Sequence, residues 1–230
     1  LKIDTSSQLL QFFLDRLTPE LQLHFEVIPD HLPDRLKDLL AQFPPGVLQL
    51  EVGIQTFNET VQRRISRRQD NVQTEANLRW LLAHTKAHLH TDLIFGLPGE
   101  SLQSFADGFD RLYALGPHEI QLGLLKRLRG TPIARHTQAY GMVYDMQAPY
   151  AVQQTHAVDA ATVQGFVRLA RYWDLLANSG RFAHSLPLVL AHLPLEAEAG
   201  ATCSRPASAF WRLWALSDWL WQYAGRTQGL

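Results

Sequence analysis

The sequence predicts an α/β fold, namely a partial (β/α) TIM-like barrel of about four parallel strands with a helical C-terminal extension. In residues 1–140, strand-like segments alternate with helix-like segments of roughly 10–15 residues, the pattern of β/α units. The strand-like segments are nearly continuous apolar runs, which is typical of a parallel sheet covered by helices. From residue 141 the alternation stops. We therefore divide the chain into a barrel part, 1–140, and a helical extension, 141–230.

The barrel part contains four predicted strands with helices around them. The strands are predicted at residues 21–27, 47–55, 88–97 and 119–128. Helices are predicted over QLLQFFLDRL after the caps Thr5 to Ser7, at 32–43, after the cap Asn58, and at 74–88, 101–115 and about 130–140. Four strands cannot close a barrel and would leave exposed edges. We therefore expect further strands upstream and regard a homo-oligomer formed through these edges as an open alternative.

The extension contains two predicted helices. The first runs from Val158 to Asn178 and ends at Gly180, and the second runs from Ala207 to Tyr223. The Pro-interrupted segment between them receives no assignment. The second helix carries Trp211, Trp214, Trp219 and Trp221, and we interpret it as an amphipathic face packed on the barrel. An exposed patch or a dimer contact is the alternative.

Composition restricts the function classes. The 230 residues suit one domain or one domain with an appendage, and the net charge of −1 argues against a nucleic-acid or membrane-surface binder. No apolar run reaches the ~18 residues of a transmembrane helix, and the start lacks a signal-peptide pattern. The single cysteine suits a reducing compartment. We expect a cytoplasmic protein, and, since the first residue is not Met, a piece of a longer one.

Polar residues mark the ends of the predicted strands. Glu26, Gln55 and Asp92 lie at or near carboxyl ends of strands, where parallel β/α folds place functional groups. Arg67 follows Gln55 by twelve residues. A carboxylate can accept hydrogen bonds from ribose hydroxyls or an amino group, Gln both donates and accepts, and Arg pairs with a carboxylate.

The segments EVGIQTFNETVQRRISRRQD and HTDLIFGLPGE resemble the middle of radical S-adenosylmethionine enzymes. They are similar to the oxygen-independent coproporphyrinogen III dehydrogenases and to cobalamin-binding radical enzymes. The resemblance implies that Glu26, Gln55, Arg67 and Asp92 bind S-adenosylmethionine. The match to Glu26 depends on a loop of variable length. No catalytic residue and no metal ligand is assigned within the chain.

The downstream stretch QLGLLKRLRGTPIARHTQAYGMVYDMQAPYAV resembles the cobalamin-binding group. This resemblance implies that the parent protein uses a 4Fe–4S cluster and cobalamin on an organic substrate, through a 5′-deoxyadenosyl radical or by methyl transfer. The family holds its cluster with a C-x3-C-x2-C loop, whereas this chain has one cysteine, Cys203. We therefore expect the loop and a cobalamin domain upstream, and expect the chain alone to be inactive.

Three alternative functions stay open. The first is an oxygen-independent coproporphyrinogen III oxidase-like enzyme, since GIQTFN and DLIFGLPGE serve both groups. The second is a cluster-free binding module built on a degenerate barrel. The third is an ordinary β/α barrel fragment without an S-adenosylmethionine site.

Structural interpretations compete with the functional ones at several residues. Asp92 can be a buried acceptor for backbone amides. Arg67 can belong to a solvated basic helix face with Arg63, Arg64 and Arg68. We interpret His84, His88 and His90 as solvated surface residues rather than metal ligands, because no nearby carboxylate completes a site. Cys203 is interpreted as an inert thiol.

Overall fold

The computed structural model describes residues 3–192 and 208–227. The chain divides into two compact units. The first unit comprises Leu1–Gln55, Arg68–Asp92 and Leu115–Ile120, and the second comprises Thr56–Arg67, Leu93–Ala114 and Gln121–Leu230. The predicted boundary between residues 140 and 141 stays a prediction. Cys203 lies outside the described residues.

Four parallel strands form the main sheet, in the spatial order β1-β2-β3-β4. They are β1 Leu23–Val27, β2 Leu48–Gln55, β3 His88–Phe95 and β4 Glu119–Leu124. The predicted α/β class, with a partial TIM-like barrel and a helical C-terminal region, is confirmed. The third and fourth strands end earlier than predicted. Gly96 follows β3 with a φ of +85°, a left-handed conformation that a regular strand cannot continue through.

The helices account for most of the remaining chain. They are α1 Ile3–Leu14, α2 Asp34–Leu40, α3 Glu59–Arg64, α4 Asn71–His84, α5 Leu102–Leu115, α6 Ala160–Trp173, α7 Leu186–His192 and α8 Ala209–Ala224. The predicted cap of α3 is confirmed, because the Asn58 side chain accepts hydrogen bonds from the N–H groups of Thr60 and Val61. The predicted start of α1 is wrong, since Ser7 lies inside that helix. No helix within residues 3–192 and 208–227 has the length and apolar character that a membrane crossing needs.

The segment after β4 differs most from the prediction. A short 3₁₀ helix, Pro132–His136, replaces the predicted helix of residues 130–140. An antiparallel hairpin of β5 Val143–Tyr144 and β6 Val152–Gln154 follows it. The hairpin is also fixed to the chain after β4, because the Val152 N–H donates to the Leu125 carbonyl at 2.8 Å. The hydrogen bond between Val152 and Leu125 joins residues distant in the sequence, so no local sequence pattern predicts it.

The C-terminal helix α8 packs in the second unit through an aromatic cluster. The ring of Phe210 lies 5.8 Å from that of Phe105 and 5.6 Å from that of Phe109, both on α5. Trp214 packs so closely on α6 that a Cβ at Gly165 would lie 2.8 Å from its ring. The predicted helix is therefore correct, and its completely buried side chains are Phe210 and Leu213. Trp221 is 39% exposed and is not part of the buried face.

Candidate functional site

The polar side chains of β2 lie on one face of the strand and the apolar ones on the other. Gln49, Glu51 and Gln55 are half-buried, whereas the alternate positions Leu50 and Ile54 are completely buried. The period of two follows from strand geometry, in which successive side chains point to opposite faces of a sheet. The same alternation runs through β3. In the first unit the sheet therefore has an apolar face and a polar face.

Three carboxyl groups meet on the polar face. Glu26 of β1 is the register partner of Glu51 of β2. Asp92 of β3 lies within hydrogen-bonding reach of Glu51, and a hydrogen bond between them needs a proton on one of the two carboxyl groups. The negative charge of Glu26 also acts on Asp92. The structure therefore brings two predicted residues, Glu26 and Asp92, together around a third that the sequence reasoning missed.

Burial and like charges hold Asp92 in an unusual state. The pKa of Asp92 is raised from 3.8 to about 6, chiefly by burial; His90 lowers it, whereas Glu51 and Glu26 also raise it. Its Oδ1 atom accepts no well-aligned hydrogen bond from the described residues, although His90 Nε2 lies 3.4 Å away as a charge neighbour. The structural interpretation of Asp92 as an acceptor for backbone amides finds no support in the contacts of that atom. Above pH 6 the carboxylate form of Asp92 predominates on the polar face.

Histidines alternate with the carboxyl groups across this face. His24 Nε2 lies 3.0 Å from Glu51 Oε2, and His90 Nε2 lies 3.4 Å from Asp92 Oδ1. Glu119 of β4 is 2.9 Å from His88 Nε2 and 3.5 Å from His90 Nδ1. The interpretation of His88 and His90 as solvated residues without carboxylate neighbours is therefore wrong.

The remaining predicted histidine behaves differently. His84 is exposed and stacks on Trp80, with 4.9 Å between ring centroids. Within the part of the chain that the structure describes, no group of three or more His, Cys, Asp or Glu residues is placed to hold a metal ion. The histidines and carboxyl groups of the polar face make pairwise polar contacts.

Gln55 ends β2 on the polar face. Its φ is +69°, the left-handed region that residues other than glycine rarely adopt, at a cost of about 1–2 kcal/mol. Strain of this kind persists where the surrounding structure holds it, and it is common at ligand sites. The observation therefore supports the functional interpretation of Gln55.

Arg67 lies in the second unit, just after α3. It is half-buried, and its backbone N–H donates to the Gln62 carbonyl at 2.8 Å. Its neighbour Arg64 donates to the carbonyls of Pro98 and Gly99, at 3.1 and 3.2 Å. The predicted solvated face of arginines is therefore wrong for Arg64, while the role of Arg67 stays a prediction.

A polar cavity of about 570 Å³ lies at the opposite, amino-terminal ends of the strands in the first unit. Its lining is Gln22, Leu23, His24, Gly46, Val47, Leu48, Gln49, Lys86, Ala87, His88 and His118. None of the predicted ligand residues contributes to it. Parallel β/α folds bind ligands at the carboxyl ends of strands, so the polar face near Gln55 and Asp92 is the better candidate.

Sequence signals for the missed residues did exist. Glu51 precedes Gln55 by four residues and His90 precedes Asp92 by two, so a period of two places both on the face of the predicted residues. What the sequence lacked was the register that brings Glu51 beside Glu26 and Asp92.

Comparison with known proteins identifies the fold of this site. Residues 6–112 match the model of the Radical SAM superfamily. The matched residues include β1, β2 and β3 with the helices between them. These residues form a radical SAM domain. The stretch includes all four predicted ligand residues, although the match itself assigns no role to any of them.

Curated relatives of this radical SAM domain cover short segments. The oxygen-independent coproporphyrinogen III oxidase of Cereibacter sphaeroides is 34% identical over 77 residues, which are 34% of this chain and 17% of the relative. The enzyme of the same name from Escherichia coli K12 is 33% identical over 106 residues, 44% of this chain and 22% of the relative. The anaerobilin synthase of Escherichia coli O157:H7 is 28% identical over 90 residues, 39% of this chain and 20% of the relative. The matched part is therefore about a fifth of each relative's length.

Two solved structures share the fold of the radical SAM domain. The coproporphyrinogen III oxidase HemN from Escherichia coli aligns with a TM-score of 0.55 at 23% identity, over 78% of this chain and 38% of that one. The radical S-adenosylmethionine methyltransferase TsrM from Kitasatospora setae aligns with a TM-score of 0.52 at 19% identity, over 65% of this chain and 31% of that one. At these identities the likeness concerns the fold.

Proposed function

We propose that this chain binds S-adenosylmethionine on the polar face of its sheet, as part of a longer radical enzyme. The observation that carries the proposal is the meeting of Glu26, Glu51 and Asp92 on the face that ends in Gln55. Glu26 is exposed, while Glu51 and Asp92 are half-buried. Like charges held this close together cost free energy unless a partner compensates them. A cationic ligand with hydroxyl donors is such a partner.

The polar groups match the chemistry of the proposed ligand. S-adenosylmethionine carries an ammonium group, a sulfonium group and a ribose with two hydroxyl groups. Carboxylates accept hydrogen bonds from the ammonium and hydroxyl groups, and their charge favours the sulfonium. The Gln55 amide can donate and accept, and Arg67 is proposed to pair with the ligand carboxylate. In this arrangement the chain binds and orients the ligand.

The iron–sulfur cluster does not fit the residues of this chain. Its ligands in the family are three closely spaced cysteines, and the sequence has only Cys203. We therefore assign the 4Fe–4S cluster to another part of a longer protein and route no step through these residues. When bound in such a protein, the cluster supplies the electron for reductive cleavage of S-adenosylmethionine.

The reaction beyond ligand binding divides into two candidates. A cobalamin-dependent reaction such as methyl transfer is favoured by the fold shared with TsrM, whose structure contains cobalamin and a cluster. An oxidation like that of coproporphyrinogen III is favoured by the segments shared with the curated oxidases. In both cases we propose a small organic substrate and a cytoplasmic setting.

The test uses the full native protein, purified without oxygen. S-Adenosylmethionine and a strong reductant are added, and 5′-deoxyadenosine and S-adenosylhomocysteine are measured by mass spectrometry. Formation of 5′-deoxyadenosine supports radical cleavage, and S-adenosylhomocysteine supports methyl transfer. If a preparation with a full iron complement yields neither product, the radical-enzyme proposal is wrong. A native protein without iron and the cysteine motif would favour the cluster-free binding module.

Ligand binding is tested separately by equilibrium dialysis with S-adenosylmethionine. Gln55→Ala is compared with Gln49→Ala, a matched change on the same strand face at the other end of β2. The proposal expects weaker binding for Gln55→Ala alone. Equal affinities for both variants and the wild type would remove Gln55 from the site.

A further inference from the structure

Glu100 is a buried acidic residue in the turn that follows β3. Its residue surface is only 2% exposed, and its backbone N–H closes the turn by donating to the Leu97 carbonyl at 3.1 Å. Burial raises the pKa of its carboxyl group to about 7, against the effect of two hydroxyl hydrogen bonds. Enclosing a carboxyl group in this way costs free energy unless hydrogen bonds compensate it. The hydrogen bonds of Glu100 therefore indicate its structural role.

Four residues form a closed hydrogen-bonded ring that includes this carboxyl group. Glu100 Oε1 accepts from the hydroxyl groups of Thr56 at 2.6 Å and Ser104 at 3.0 Å. The Asn58 backbone N–H donates to Thr56 Oγ1 at 3.0 Å, and its Nδ2 donates to Ser104 Oγ at 2.9 Å. This Glu100 ring joins the turn after β2 to the first turns of α5. Glu100 Oε2 has no partner among the described residues.

Thr56 is held at its carbonyl group as well as at its hydroxyl group. Gln62 Nε2 donates to the Thr56 carbonyl at 2.7 Å, and both residues are buried. The residue directly before Thr56 is Gln55, with its left-handed φ of +69°. A conformation this rare persists only where neighbouring structure fixes the chain. The hydrogen bonds of Thr56 provide that fixation on the downstream side of Gln55.

We propose that Glu100 is a positioning residue for Gln55: through Thr56 it holds the left-handed turn that directs the Gln55 amide toward its ligand. This inference rests on the proposed binding of S-adenosylmethionine. Glu100 itself does not contact the ligand. The hydroxyl of Thr56 transmits its effect, and Ser104 and Asn58 complete the ring.

The experiment measures the affinity of the full native protein, purified without oxygen, for S-adenosylmethionine. Thr56→Val removes the hydroxyl group while keeping the side-chain shape, and we expect about tenfold weaker binding, as for loss of one buried hydrogen bond. Thr56→Ser keeps the hydroxyl group and should bind like the wild type. Glu100→Ala should lose about tenfold, whereas Glu100→Gln keeps the Oε1 acceptor and should restore most of the affinity.

A double-mutant cycle separates positioning from a general structural role. If Thr56 acts through Gln55, adding Thr56→Val to Gln55→Ala causes no further loss of affinity. Additive losses would overturn the inference. So would wild-type affinity in both Thr56→Val and Glu100→Ala. The Thr56→Val and Thr56→Ser pair decides the question even where Glu100→Ala fails to fold.

The same measurements distinguish the two proposals. If the wild-type protein does not bind S-adenosylmethionine, or Gln55→Ala binds as the wild type does, the proposed role of Gln55 fails. If Gln55→Ala weakens binding while the Thr56 and Glu100 variants do not, the proposed function stands and the positioning role fails.

Discussion

The two faces of β2 differ sharply in polarity and burial. On one face Leu50, Val52 and Ile54 are completely buried. On the other face Glu51 and Gln55 are half-buried, polar and partly charged. The apolar face is the stabilising one, because burial of apolar side chains drives folding. The polar face keeps groups that are costly to bury, and we expect it to contribute little stability.

The third strand repeats this contrast. Leu89, Leu93 and Phe95 are buried, while the intervening Asp92 has a pKa raised to about 6. Four measurements test the difference between the two faces and the contacts around them.

The largest expected effect is on the apolar face of β2. Leu50→Ala removes a completely buried side chain and should lower the free energy of unfolding by about 2–5 kcal/mol. The matched change Gln49→Ala on the polar face should cost less than about 1 kcal/mol. Denaturant unfolding of both variants measures the two values. Similar losses for both would show that the two faces contribute equally to stability.

The next effect concerns a polar group enclosed away from both faces. The folded-state pKa of Glu100, about 7, exceeds its ordinary value of 4.5, so the folded state binds the proton more tightly than the unfolded state. Proton binding by Glu100 therefore stabilises the folded state. This stabilisation is fully present below pH 4.5 and is lost as the pH rises through about 7. It corresponds to about 3 kcal/mol.

Glu100→Gln cannot titrate and provides the control for that effect. Unfolding free energies measured from pH 4 to 8 should fall less steeply with pH in the variant than in the wild type. The difference between the two curves isolates Glu100 from other carboxyl groups such as Asp92 and Asp110, whose pKa values are also raised. Parallel curves would mean that Glu100 titrates normally.

The third effect is on ligand affinity at the polar face. Asp92→Asn should bind S-adenosylmethionine about tenfold more weakly at pH 8, because a charge-assisted hydrogen bond is lost. Since the Asp92 pKa is about 6, wild-type affinity should be constant above pH 7 and fall by about tenfold toward pH 5.

Dialysis across this pH range, with wild type and variant side by side, measures both effects. The neutral amide of the Asp92→Asn variant should largely remove the pH dependence, although His90, Glu51 and Glu26 also face this position. An undiminished affinity in Asp92→Asn would remove Asp92 from the proposed site.

The smallest effect is expected for the stability of the polar face itself. His24 and Glu51 form a partly exposed pair with 3.0 Å between Nε2 and Oε2. Such pairs contribute about 0–1 kcal/mol, so His24→Ala should change the unfolding free energy by less than about 1 kcal/mol. A loss above about 2 kcal/mol in thermal or denaturant unfolding would assign the polar face a structural role.

Much of the fold followed from local patterns in the sequence. The strand-like runs and their spacing predicted a four-stranded parallel sheet, and Asn58 predicted the start of α3. Helix starts were less accurate: α4 begins at Asn71, after the cap Asp70, rather than at Thr74. The Asp70 side chain satisfies the N–H groups of Val72 and Gln73, a cap that the prediction overlooked.

The candidate site divides in the same way. The alternation that gives β2 and β3 a polar face can be predicted from the sequence, because strand periodicity is local. It also determined that Gln55 and Asp92 stand on that face. Three features depend on tertiary packing: the approach of Glu51 to Asp92, the hydrogen bond between Thr56 and Glu100, and the hairpin after β4. These contacts join residues about 40 positions apart or pair short segments, and depend on strand register and turn packing, which no local pattern encodes.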